Sequence, residues 1–98
     1  MEFEWDEDKN KANFTKHGVN FEIAGKIFDD PLGAYLFDRI VDGEERWLAL
    51  GKVLTLPLLV VAYTWRNRDG EDVIRIISAR QASSHERKLY EQGYDSSD

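Results

Sequence analysis

Six consecutive apolar residues, Leu58-Leu59-Val60-Val61-Ala62-Tyr63, constrain this chain more than any other stretch. A run of that length without alternation reads as a strand covered on both faces, the centre of a sheet. Pro57 stands at its start, where a missing N–H is tolerated. Beyond the turn residues Asn67 to Gly70 comes a second apolar strand, Val73-Ile74-Arg75-Ile76-Ile77-Ser78-Ala79-Arg80. Arg75 interrupts it. A guanidinium stays ionised in a protein, so a strand carrying one at its centre must offer an anion, a wet cleft, or both.

The flanking elements follow from local signals. Asp6 can cap a helix beginning at Glu7, with Lys16 and His17 in its last turn and Gly18 just beyond. Asn20 can cap a second helix carrying Phe21, Ala24, Ile27 and Phe28 at helical spacing, ended by Asp30-Pro31. Phe3, Trp5 and Phe14 are expected to join the core. Strands are expected over 34–38 and 46–52, separated by a polar turn near Asp42-Gly43, and over 56–66. Ser83 and Glu86 form a capping box that starts a short last helix. The tail from residue 94 is expected to fray. Residues 1–93 therefore read as one α+β domain: two N-terminal helices, a four-stranded antiparallel sheet and a short C-terminal helix.

Hairpin geometry places two arginines together. A two-residue loop at Asp69-Gly70 pairs Arg66 with Val73 and Thr64 with Arg75. A four-residue loop, 67–70, pairs Arg66 with Glu71 and Ala62 with Arg75. Both registers leave Arg66 and Arg75 on one face. Strict alternation puts Arg80 on the other face, unless a bulge or the strand end re-aims it.

Composition narrows the function classes. The absence of cysteine excludes a disulfide framework and a thiolate metal site and suits a reducing cytoplasm. No apolar run approaches the roughly 18 residues of a membrane helix, and the acidic N-terminus is no signal peptide. The net charge of −6 argues against a polyanionic partner, yet residues 1–50 carry all of that excess. Within 66–88 six cations (Arg66, Arg68, Arg75, Arg80, Arg87, Lys88) face four acids, so a basic patch can sit on an acidic body.

Several short motifs stand out together: Trp5-Asp6 with Lys9 and Asn13; Lys16-His17-Gly18-Val19 with Phe21-Glu22 and Ala24; Gly43-Glu44 with Arg46; and Ile74 to Arg80 followed by Ala82, Glu86 and Tyr90. In that order and spacing they resemble the BrnT toxins of bacterial type II toxin–antitoxin modules. The resemblance spans about residues 3–91. It implies a RelE-like fold, a metal-independent ribonuclease that halts translation, and neutralisation by a small BrnA-like antitoxin in a hetero-oligomer. It also implies operator binding only through the antitoxin. By position it makes Arg66 and Arg80 active-site arginines. Two departures stand out: Trp65 occupies a slot that is acidic in many members, and the net charge is low for a RelE-like toxin.

The chemistry of metal-free RNA cleavage needs a base for the 2′-hydroxyl, a stabiliser for the phosphate, and an acid for the leaving oxygen. Arg66, Arg75 and Arg80 suit the second role. His17 and His85, the only histidines, titrate nearest neutrality, with Glu86 and Lys16 as lesser candidates for the base. Lys16, Arg68 and Arg87 are the expected substrate-binding cations. Each has a structural alternative: His17 as a helix-end residue, His85 as a first-turn residue of the last helix where the dipole disfavours its cation, Glu86 as a cap, Arg75 as the partner of Glu44 or Asp38. No cofactor is implied. The acids Asp29, Asp30, Asp38, Asp42, Glu44 and Glu45 lack ligand-like spacing for a metal. The rival function is a catalytically degenerate toxin that retains only antitoxin binding and operon regulation.

Overall fold

The computed structural model describes residues 1–93; the expected frayed tail at 94–98 lies outside the described residues. The chain runs β1 (Glu2–Glu4), α1 (Glu7–His17), α2 (Phe21–Gly25), a 3₁₀ turn (Lys26–Asp29), β2 (Ala34–Val41), β3 (Glu44–Gly51), β4 (Leu59–Arg68), β5 (Glu71–Gln81) and α3 (Ser84–Glu91). The sheet has five strands in the order β1-β5-β4-β3-β2. β2 to β5 pair antiparallel, while β1 lies parallel to β5 through Glu2↔Val73, Phe3↔Ile74 and Glu4↔Arg75.

The expected four-stranded antiparallel sheet is therefore corrected to a mixed, five-stranded one. β1 escaped because three residues reading acid-Phe-acid give no strand signal, and the partner that holds them lies about seventy residues away. The second helix is also shorter than expected, tightening into the 3₁₀ turn after Gly25. Phe14 is 55 % exposed rather than core, because α1 turns Asn13 inward in its place.

Caps and turns behave as their residues require. Asp6 Oδ1 accepts from the Asp8 and Lys9 N–H groups, and Asn20 Oδ1 from that of Ile23. The β2–β3 and β4–β5 hairpins each close through an Asp-Gly pair with positive φ at both residues: 51° and 78° at Asp42-Gly43, 52° and 84° at Asp69-Gly70. This is the two-residue turn whose twist matches the strands it joins. The second turn selects the register Arg66↔Val73 and Thr64↔Arg75.

The main core lies between the α2 side and one sheet face, where Phe21, Ala24 and Ile27 meet Leu59, Val61, Tyr63, Ile74, Ile76 and Ala79. A smaller cluster of Ala34, Leu50 and Val60, with Leu36, Leu48 and Tyr90, lies at one end of the opposite face under α3. The remainder of that second face has no helix over it, and most of the charged residues of the strands lie there.

Candidate active site

One extra residue decides where Arg80 points. Ala62 pairs with Ser78 and Tyr63 with Ile76, so Ile77 has no partner of its own and forms a β-bulge. The bulge shifts the alternation by one. Arg80, opposite Val60, thereby joins the face of Arg75, opposite Thr64.

The strand pairing collects more arginines on that face. Arg66 and Arg68 follow Thr64 along β4, and Arg46 shares its β3 face with Leu48 and Leu50. Arg39 pairs directly with Arg46. Six of the seven arginines, namely 39, 46, 66, 68, 75 and 80, thus occupy the sheet face away from α2. Glu2, Glu4, Glu44 and Glu71 lie on the same face and offset part of that charge.

Within this face the arginines fall into two ion-paired groups. Arg66, Arg68 and Arg75 converge on the carboxylate of Glu4 from β1, with N–O distances of 2.7, 3.3 and 3.5 Å. Three guanidinium groups around one carboxylate leave a net positive cluster. The expected partners of Arg75, Glu44 or Asp38, are replaced by Glu4, because parallel pairing sets Glu4 beside Arg75. Arg80 instead makes a bidentate pair with Glu86, both bonds 2.8 Å, and donates to the Gln81 carbonyl at 3.2 Å. Glu86 also accepts from the Ser83 N–H, completing the capping box of α3. The Arg80 guanidinium, aided by that N–H, holds the Glu86 carboxyl down at about 2. A carboxylate so acidic is a poor base near neutrality.

Arg66 and Arg80 therefore share a face but do not converge on one point. Six residues of β4 separate their levels, roughly 20 Å at a strand's rise. Arg75 stands between them.

The other candidates divide by side. His17 lies beside an apolar cleft of about 410 Å³ with Val19, Ile23, Leu54, Leu56 and Pro57, and Lys16 precedes it in the last turn of α1. Neither joins the arginine face. His85 and Arg87 flank Glu86 in α3, the helix on the arginine side, and both are exposed. Trp65 turns toward the opposite face, beside Tyr63 and Ile74, so a residue at position 65 does not look toward Arg66 or Arg75. Among the described residues no group of three or more His, Cys, Asp or Glu is placed to hold a metal. Asp30 is engaged in the fold, accepting from Tyr90 Oη at 2.7 Å and from the Leu32 and Lys52 N–H groups.

Sequence reasoning passed over Glu4 and Arg46. Glu4 gave no signal because its strand gave none. Arg46 lies in a motif that the resemblance used, but its facing became legible only with the β2–β3 and β3–β4 registers.

A family model described as "Ribonuclease toxin, BrnT, of type II toxin-antitoxin system" matches residues 5–86. The chain belongs to the BrnT family. Among solved structures, the 1.1 Å crystal structure of the Brucella abortus ribonuclease toxin BrnT is similar, with 26% identity and a TM-score of 0.60. That alignment covers 86% of this chain and 99% of the Brucella chain. No curated protein matches. The BrnT match contains Arg46, Arg66, Arg68, Arg75 and Arg80 as well as His85 and Glu86, and begins one residue after Glu4.

Proposed function

We propose that this BrnT chain cleaves RNA without a metal, using the 2′-hydroxyl as nucleophile, and thereby inhibits translation. The 2′-oxygen bonds to phosphorus while the 5′-oxygen departs. A base takes the 2′-hydroxyl proton and an acid supplies one to the leaving oxygen, giving a 2′,3′-cyclic phosphate and a 5′-hydroxyl. The observation that carries this reading is the gathering of six arginines on one open sheet face of a ribonuclease-toxin fold. Guanidinium groups fixed in advance suit the charge that grows on the phosphate oxygens. His85 supplies the proton-transfer group, being the histidine on the arginine side of the sheet. A BrnA-like antitoxin neutralises the toxin in the cytoplasm, and the hetero-oligomer reaches operator DNA through the antitoxin.

The test is incubation of purified protein with RNA in EDTA, beside Arg75→Ala, Arg80→Ala and His85→Ala. Cleavage should survive chelation, fall about a hundredfold or more without either arginine, and fall by a similar factor without His85. Loss of cleavage on chelation would overturn the metal-free reading.

A second reading has one specific observation behind it. Arg66 and Arg80 are each already held by a carboxylate of the same chain. A degenerate toxin that only binds antitoxin and regulates its operon is compatible with such closed pairs. Expression without antitoxin separates the two: growth arrest relieved by Arg80→Ala marks the enzyme, and harmless expression marks the binding module.

A further inference from the structure

We propose that Arg46, level with Thr64 and Arg75 in one row across the sheet, binds a backbone phosphate of the RNA. This rests on the ribonuclease reading and adds a substrate-binding residue to it. β3 and β4 pair at Trp47↔Tyr63, and one step further along the same register brings Arg46 level with Thr64. Thr64 pairs with Arg75, Arg75 with Glu4, and Arg46 with Arg39. The row therefore reads Arg39, Arg46, Thr64, Arg75, Glu4 through all five strands. Arg46 and Arg75 stand two strand spacings apart, roughly 10 Å between Cα atoms. Two such side chains can close on a single phosphate above Thr64, which is itself only 3 % exposed.

Arg46 differs from its neighbours in having no compensation. Arg66, Arg68, Arg75 and Arg80 have carboxylates of the same chain, and Arg39 has Asp38 at 3.5 Å. Among the described residues Arg46 has no ion pair, and its Nε is buried without a hydrogen-bond partner. Its direct cross-strand neighbour is a second arginine, an arrangement that disfavours folding. A buried N–H left unpaired disfavours it further. A residue placed against stability on both counts is accounted for by an anion from outside. With Nε closed off, the terminal nitrogens remain to bind, and a phosphodiester offers the two oxygens that an arginine fork matches.

Anisotropy with a single-stranded RNA oligonucleotide, 2′-O-methylated throughout so that it binds without being cleaved, tests this on the purified chain. Arg46→Met should weaken binding about tenfold and lessen the salt slope by about 0.7, the signature of one lost phosphate contact on a single strand. Its melting temperature should stay level or rise, whereas a merely structural arginine would lower it. Arg46→Lys should recover part of the affinity. Unchanged affinity and slope in Arg46→Met, with wild-type binding intact, would overturn the inference alone. Loss of antitoxin capture with RNA binding spared would also overturn it, assigning Arg46 to an acidic protein partner. A wild-type chain that does not bind RNA at all would overturn the ribonuclease reading with it.

Discussion

Asn13 replaces a neighbouring strand with a single amide. β1 ends at Glu4, and further along β5 the Asn13 side chain takes over at Ala79, accepting from its N–H at 3.1 Å and donating to its carbonyl at 2.9 Å. The same Nδ2 also donates to Val19, tying the loop before α2 to the sheet. Buried backbone groups without partners are costly, so Asn13→Ala should destabilise the fold by about 2–4 kcal/mol in urea unfolding. Glu86 gives a pH test. Its folded pKa lies below the unfolded value, so its pair with Arg80 stabilises above pH 4.5 and that contribution fades as pH falls toward 2. Glu86→Gln should cost about 1–2 kcal/mol at pH 7, and its stability should meet that of the native chain near pH 2 to 3. Glu4→Gln should leave stability nearly unchanged, since its pairs are half exposed, while tightening RNA binding by removing the carboxylate that competes with phosphate. At this scale the sequence announced the capping residues Asp6, Asn20 and Ser83, because those signals are local. It did not announce the partner of Arg75 or the isolation of Arg46, which depend on strands brought together from afar.

Among the elements, β5 sets the geometry of the face. The bulge at Ile77 reverses the alternation between Arg75 and Arg80, and α3 then follows directly with Glu86 in place for Arg80. Deleting Ile77 leaves Ser78, Ala79 and Arg80 with their present facings, since the residue removed is the unpaired one. That variant should fold, with native-like circular dichroism and a modest fall in melting temperature. Inserting one alanine after Ile77 turns Arg80 into the apolar core and Ala79 out of it. It should be unfolded or aggregate, and a native-like melt would contradict the assigned facing. The Asp-Gly turns, both hairpins and the central apolar strand were legible because turn chemistry and apolar pattern agree there. A bulge could be named as a possibility but not placed: Arg75-Ile76-Ile77-Ser78 carries no glycine, and an extra residue in a strand is visible only against its partner.

At the scale of the whole molecule, an acidic chain can still present a cationic face to the RNA proposed as its substrate. The net charge of −6 belongs to the whole chain, while six of its seven arginines share one sheet face, where Glu2, Glu4, Glu44 and Glu71 offset them only in part. Association with RNA should therefore be strongly salt-dependent despite a sequence pI near 4.9. If three or four phosphates are engaged, the logarithmic salt slope for single-stranded RNA should lie between about −2 and −3. A slope near zero would show that the arginine face takes no part in binding. The mixed sheet carries one more implication. Glu4 and its three arginines meet only when a strand from the start of the chain docks beside β5, close to the end. The positive cluster is therefore a product of long-range pairing, absent until residues about seventy positions apart have come together.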